Sequence, residues 1–259
     1  MFGEHLEHTE EGYIKFPRDV EIRRQLWPEN VFKHPAKYNC HMVWSLVEYL
    51  TEPGQRILDP MAGCGTSMLA ALSGRNVILV EIEQKYHEMQ QYVMDNLVAA
   101  EPGLASRIFL IQSDCRKVLP MAGIDLVLFS PPYGEMIKRK KVSGIAAEEA
   151  SSFAELPDYS KDPWNIGKLS QFMYFQVMEK VYTDLLETAP LMCIVLKDRI
   201  SNQRRIRFVR QNIKLCETAG WKLVEEVKVE AGGTEFINIH ESHGEIVVRD
   251  ESIVIMRRK

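Results

Sequence analysis

The most specific string in the chain is Ser130-Pro131-Pro132-Tyr133. Its two prolines remove two backbone donors and stiffen the turn, so the carbonyls of Ser130 and Pro131 can face outward as acceptors. An exocyclic amine on a nucleobase is a poor nucleophile because its lone pair is delocalised into the ring. Acceptors on both amine hydrogens, here the Ser130 side-chain oxygen and the Pro131 carbonyl, would draw the nitrogen toward tetrahedral geometry and free the lone pair for in-line attack on a methylsulfonium. Tyr133 offers an aromatic face on which a base flipped from a helix can stack. The bland alternative is a rigid surface turn followed by a core tyrosine, and residues upstream weigh against it.

Upstream stands Asp59-Pro60-Met61-Ala62-Gly63-Cys64-Gly65-Thr66-Ser67, followed by Met68-Leu69-Ala70-Ala71. Gly63 and Gly65 at a strand-to-helix turn let backbone amides approach a ligand, and the helix N-terminus favours a carboxylate. About twenty residues on, Glu81 ends the next β-branched run, where α/β nucleotide sites place an acid for ribose hydroxyls. Glu83 is near enough to exchange roles with it. Asp114 ends the following run and is expected to bond an adenine amine, although either acid could be a solvated surface charge. Met68 occupies the position of the third glycine of Gly-x-Gly-x-x-Gly, and no Gly-Lys-Ser/Thr is present. These absences favour a ligand without phosphates.

On these strings the chain resembles the amino-group DNA methyltransferases, which act on cytosine N4 or adenine N6. Asp59 to Thr66 looks like the family's cofactor motif DPFxGSGTT, with Met61 for Phe and Cys64 for Ser. Ser130 to Tyr133 looks like its catalytic motif, in which Ser in first position is more typical of cytosine-N4 enzymes. His34-Pro35-Ala36-Lys37-Tyr38 looks like its additional cofactor-side motif. The resemblance implies S-adenosyl-L-methionine as cofactor, held by His34, Pro35, Lys37, Asp59, Pro60, Met61, Gly63, Gly65, Thr66, Glu81 and Asp114. It implies Ser130, Pro131, Pro132 and Tyr133 as the catalytic group, with DNA favoured over RNA as partner and cytosine N4 as the leading target. Adenine N6, an RNA base, or a catalytically silent cofactor-binding subunit remain alternatives. Methylation at cytosine C5 would need a nucleophilic cysteine, commonly preceded by proline, and no Pro-Cys pair occurs.

Contacts to nucleic acid are expected from two basic groups. Lys138, Arg139, Lys140 and Lys141 lie just past Tyr133, and Arg199, Arg204, Arg205, Arg207 and Arg210 cluster near the end of a later strand. Trp164 and Asn165 are expected to line the base pocket, with Lys197 at a strand end. A solvated charge run is the plain alternative for such clusters. His240 and His243 lack metal-ligand spacing, and no metal is expected.

Alternating elements must position these groups. Apolar, β-branched runs at Arg56–Asp59, Asn76–Ile82, Ile108–Gln112, Asp125–Phe129, Leu191–Lys197, Lys222–Glu230 and Ser252–Arg257 read as strands. Helical patterns fall at Cys40–Leu50, Thr66–Ser73, Gln84–Ala99, Ser170–Thr188 and Arg204–Ala219. The expected fold is α/β: a seven-stranded Rossmann-like sheet of the S-adenosylmethionine-dependent methyltransferase type, helices on both faces, the last two strands an antiparallel hairpin. One domain over 1–259 is expected, with an irregular N-terminal arm over 1–38, a substrate-side insertion over 134–169, and no separate target-recognition domain.

Composition bounds rather than decides. The chain has 259 residues, 46% apolar and 26% charged, and a net charge of -4 excludes binding of nucleic acid by bulk positive charge but not by a local basic groove. Five scattered cysteines suit a reduced cytoplasmic setting, and no apolar run is long enough to span a bilayer. A monomer or homodimer is expected, with a specificity subunit as a possible partner.

Overall fold

The β-branched runs pair into one sheet whose strand order sets the site. In the computed structural model, which describes residues 2–33, 37–132, 162, 164–201, 204–231, 244 and 246–259, the strands are β1 (Arg56–Asp59), β2 (Asn76–Glu81), β3 (Ile108–Gln112), β4 (Leu126–Phe129), β5 (Leu191–Leu196), β8 (Trp221–Glu230) and β9 (Asp250–Arg258). Their order is β3-β2-β1-β4-β5-β9-β8. The first five are parallel, and β9 runs antiparallel to both β5 and β8. The fold class therefore stands as the sequence suggested. The chain moves outward from β1 to β3 and then returns to β4 on the other side of β1. The carboxyl ends of β1 and β4 consequently flank a crevice, the switch point at which open α/β sheets bind ligands.

The sheet is buried on both faces, which is why its central strands read as nearly continuous apolar runs; all four residues of β4 are buried. Alternate residues serve opposite cores. Ile57, Leu79, Leu126, Leu128 and Cys193 pack with α2 (Cys40–Leu50), α3 (Gln84–Ala100) and the 3-10 segment Thr66–Ser73. Leu58, Val80, Val127, Phe129 and Ile194 pack with α5 (Gln171–Thr188) and α6 (Phe208–Ala219). A short α4 (Cys115–Val118) follows β3.

Two expectations are corrected. The segment 1–38 is not wholly irregular: it contains α1 (Val20–Leu26), whose one fully buried position is taken by Arg23 while Ile22 and Leu26 are only partly buried against the core, so its apolar period is too short to announce it. The arm also covers the sheet's outer edge, with Ile14 N donating to Lys228 O (3.0 Å) and accepting at its carbonyl from Glu230 N (2.9 Å). The helix expected from Arg204 begins instead at Phe208, because Arg199–Ser201 (β6) and Arg204–Ile206 (β7) form a two-stranded ribbon. Asp198 stabilises this break by accepting from Val209 N (3.0 Å) at the helix start and from Arg205 Nε (2.8 Å). Among the described residues no helix is long and apolar enough to cross a membrane.

Candidate active site

The glycine turn leaves the carboxyl end of β1 and is braced from beneath. Asp59 is fully buried; its Oδ2 accepts from Tyr38 Oη and Ser67 Oγ, both at 2.7 Å, and its Oδ1 from Met61 N at 3.2 Å. Burial pushes the Asp59 carboxyl up to about 6, and these three donors oppose the rise. Gly63 and Gly65 adopt positive φ, +52° and +81°, as the turn requires. A Cβ on Gly65 would also stand 2.8 Å from Gln90 Cγ, so the position has no room for a side chain.

Glu81, at the end of β2, is 7% exposed and locks onto the same turn. Its Oε2 accepts from Gly63 N at 2.7 Å and its Oε1 from Glu83 N at 2.8 Å. Burial raises its carboxyl to about 7 against the pull of these two amides. Asp114, at the end of β3, caps α4 by accepting from Arg116 N (3.0 Å) and forms an ion pair with the Arg116 guanidinium. Partial burial would raise its carboxyl, but the Arg116 contacts outweigh that and hold it below the usual range.

An open cleft of about 810 Å³, counting space continuous with solvent, runs along this rim. Pro60, Met61, Ala62, Gly63, Cys64 and Thr66 line it from the β1 turn, Glu81 and Ile82 from β2, and Ser113 to Arg116 from β3. Ser130, Pro131 and Pro132 line it from β4, and Lys37 and Tyr38 from the arm. The two motifs singled out in the sequence thus share one cleft. Burial lowers the pKa of the Lys37 ammonium.

Other expected residues lie elsewhere. Asp59 and Gly65 support the turn and do not line the cleft, and neither do Lys197 and Arg204. Arg204 is exposed in β7, and Lys197 is half-buried after β5. Trp164 and Asn165 do line the cleft, but they are tied to its β2–β3 side: Asn165 Nδ2 donates to Glu83 Oε1 and Arg116 Nη2 to the Trp164 carbonyl, both at 2.8 Å. His34, Pro35, Tyr133, Lys138, Arg139, Lys140, Lys141, His240 and His243 fall outside the described residues, as does most of 134–169.

Sequence reasoning missed the parts that hold the cleft from behind. Arg23, 2% exposed, donates through Nη2 to the Tyr38 carbonyl (2.7 Å) and pairs with Asp19 (2.8 Å), while its Nη1 reaches Thr66 Oγ1 at 3.3 Å. Trp27 Nε1 donates to the Cys64 carbonyl at 2.7 Å. One buried cation therefore fastens the arm to the glycine turn. Replacing Arg23 by Met leaves Asp19 and the Tyr38 carbonyl without it, and breaking such a pair costs about 3–5 kcal/mol. A thermal melt should show a fall on the order of 10 °C; an unchanged midpoint would mean the arm is held by its apolar contacts alone.

The cleft residues fit an adenosine bearing a sulfonium and an amino acid. A buried carboxylate already oriented by the glycine turn suits a ribose diol. The Gly63 N–H is committed to Glu81 and the Gly65 N–H to the Ala62 carbonyl (2.8 Å), so it is the Cys64 amide with Lys37, both on the cleft, that suits a carboxylate. The Gly-x-Gly turn lacks the phosphate-loop lysine, in keeping with a ligand without phosphates.

Comparison with known proteins agrees with this fit. A family model described as a DNA methylase matches residues 7–92, which include most of the arm, the glycine turn and Glu81. The type II methyltransferase M.BglI of Bacillus subtilis is 34% identical over 76 residues, covering 29% of this chain and 22% of that protein. The methylase-like protein YubD of Escherichia coli (strain K12) is 39% identical over 59 residues, 22% of this chain and 26% of that protein. The chain spans about a quarter of the length of these curated relatives. Among solved structures, a TehB-like SAM-dependent methyltransferase from Corynebacterium glutamicum superposes with a TM-score of 0.50 at 10% identity, over 93% of this chain and 97% of that one. The [4+2]-cyclase SpnF superposes with a TM-score of 0.51 at 14% identity, over 90% and 87%. These two show the fold alone: one is a methyltransferase and the other a cyclase, so the chemistry resides in the cleft and not in the fold.

Proposed function

We propose, from the premise that this chain resembles the amino-group DNA methyltransferases, that it methylates an exocyclic amine of a DNA base with S-adenosylmethionine, cytosine N4 being the target. The observation that carries the reading is the meeting of the β1 glycine turn and the β4 Ser-Pro-Pro turn in one cleft, with Glu81 between β1 and β3.

Glu81 takes the ribose hydroxyls, Asp114 the adenine amine, and the Cys64 amide with Lys37 the methionyl carboxylate. Bound S-adenosylmethionine supplies an electrophilic methyl group on its sulfonium. Ser130 Oγ and the Pro131 carbonyl accept the two hydrogens of the target amine and turn its lone pair toward that methyl. Pro132 stiffens the turn and removes a competing donor. Tyr133 stacks on the flipped base, and Lys138, Arg139 and Lys140 meet the neighbouring phosphates. No strong base is needed, because the methylated amine is acidic and releases its proton after transfer. Ser130 in the first position of the motif supports cytosine N4 over adenine N6.

The test is transfer of label from S-adenosylmethionine to duplex DNA, single-stranded DNA and RNA in parallel. Labelled DNA is expected. Label in RNA alone would replace DNA by RNA as the substrate, and no transfer despite cofactor binding would point to a silent subunit.

A further inference from the structure

The two peptides that meet at Gly63 are each held by a buried side chain. The Gly63 N–H donates to Glu81 Oε2 at 2.7 Å, and the Gly63 carbonyl accepts from Gln90 Nε2 at 2.8 Å. Gln90 lies on α3 with none of its surface exposed, and its Oε1 has no hydrogen-bond partner among the described residues. A buried amide oxygen without a partner costs stability that a methionine of similar size would not incur. Packing alone therefore does not account for this side chain. Its Cγ is also the atom that a Cβ on Gly65 would strike, so both glycines of the turn rest on it.

We propose that Gln90 is a positioning residue for the cofactor: by holding the Gly63 carbonyl it fixes the Gly63–Cys64 peptide while Glu81 fixes the preceding one, so that together they set the backbone angles of Gly63 and couple the turn facing the methionyl end to the carboxylate that takes the ribose. This rests on the reading of the cleft as the S-adenosylmethionine site. The groups acting on Glu81 come from several elements. Glu83 beside it and Asp59 of β1 oppose its ionisation, whereas the Gly63 and Glu83 amides favour it. Tyr86 of α3 and Cys115 at the start of α4 are neutral neighbours, the Cys115 thiol being pushed up to about 12. Loss of the Gln90 contact frees Gly63 to rotate, removes one of the two stabilising amides and raises the pH at which Glu81 ionises. A residue that merely filled space would leave that pH unmoved.

The experiment is calorimetric titration of the full chain with S-adenosylmethionine and S-adenosylhomocysteine from pH 6 to 8.5, alongside thermal melts. Wild type is expected to tighten with a midpoint near pH 7. Gln90→Met should bind about tenfold more weakly at pH 7.5, with a midpoint higher by about half a unit or more and with little loss of melting temperature. Should the Met variant fail to fold, Gln90→Asn, which keeps the amide but is too short to reach Gly63, carries the same comparison. Wild-type affinity and midpoint in these variants would overturn the proposal while leaving the cleft's reading intact. Failure of the wild type itself to bind would remove both.

Discussion

Replacing Glu81 by Ala is expected to weaken S-adenosylmethionine binding roughly 100-fold at pH 8, because two charge-assisted hydrogen bonds to a ribose diol are together worth about 3 kcal/mol or more. The same change should abolish the pH dependence of binding. Glu81 ionises near pH 7 because it is buried, and hydroxyl donors favour its charged form. Wild-type affinity should therefore fall about tenfold for each pH unit below 7 and level off above it. The unliganded protein should show the opposite trend. A carboxyl whose folded pKa lies above its unfolded value contributes stability that is complete below the unfolded pKa, 4.5 for Glu81 and 3.8 for Asp59. That contribution is lost as pH rises through about 7 and about 6, respectively. Cofactor binding and apo stability thus respond to pH with opposite sign, and calorimetry with parallel melts from pH 5 to 8 measures both. A flat wild-type binding curve would mean that Glu81 does not take the ribose.

Ser130→Ala should lower kcat by about 100- to 1,000-fold, the scale seen when one preorganised group facing developing charge is removed. The Pro131 carbonyl remains, so the variant keeps one acceptor for an amine that needs two. Cofactor affinity should not change, because Ser130 stands in the turn after β4 and the ribose acid at the end of β2. Tyr133→Ala should likewise cut turnover severely while sparing cofactor binding. Single-turnover rates with labelled cofactor separate the two quantities. An unaltered rate in Ser130→Ala would remove the serine from the amine clamp, and weakened cofactor binding would move its role to the other substrate.

The parts of the site that the sequence disclosed are those written in local chemistry. A Gly-x-Gly turn after a β-branched run, an acid ending the next run and a double proline ending the fourth each announce themselves within a few residues. Parallel strands buried on both faces gave their positions away through continuous apolar runs, and strand order then carried Ser130 to Gly63. The braces were illegible for a different reason. Arg23 meets Thr66 across 43 positions, Arg116 meets the Trp164 carbonyl across 48, and Gln90 meets Gly63 across 27. No pattern of spacing links such pairs; only the fold does. Asp59 misled in the opposite direction, since an acid beside a glycine turn reads as a ligand contact until Tyr38 and Ser67 are found to turn it inward. Arg204 misled because the basic run continues the helical spacing of Phe208–Ala219 back across a ribbon, one of whose arginines, Arg205, is spent on Asp198 and Asp250.

In the proposed reaction a methyl group passes in this cleft from S-adenosylmethionine to the exocyclic nitrogen of a nucleobase. Its most direct test is digestion of nucleic acid incubated with the protein and deuteromethyl-labelled cofactor, followed by mass spectrometry of the nucleosides. Labelled N4-methyl-deoxycytidine from DNA, absent when Ser130 is Ala, is the predicted result. A protein that binds the cofactor yet leaves no labelled N-methyl nucleoside in either DNA or RNA would contradict it.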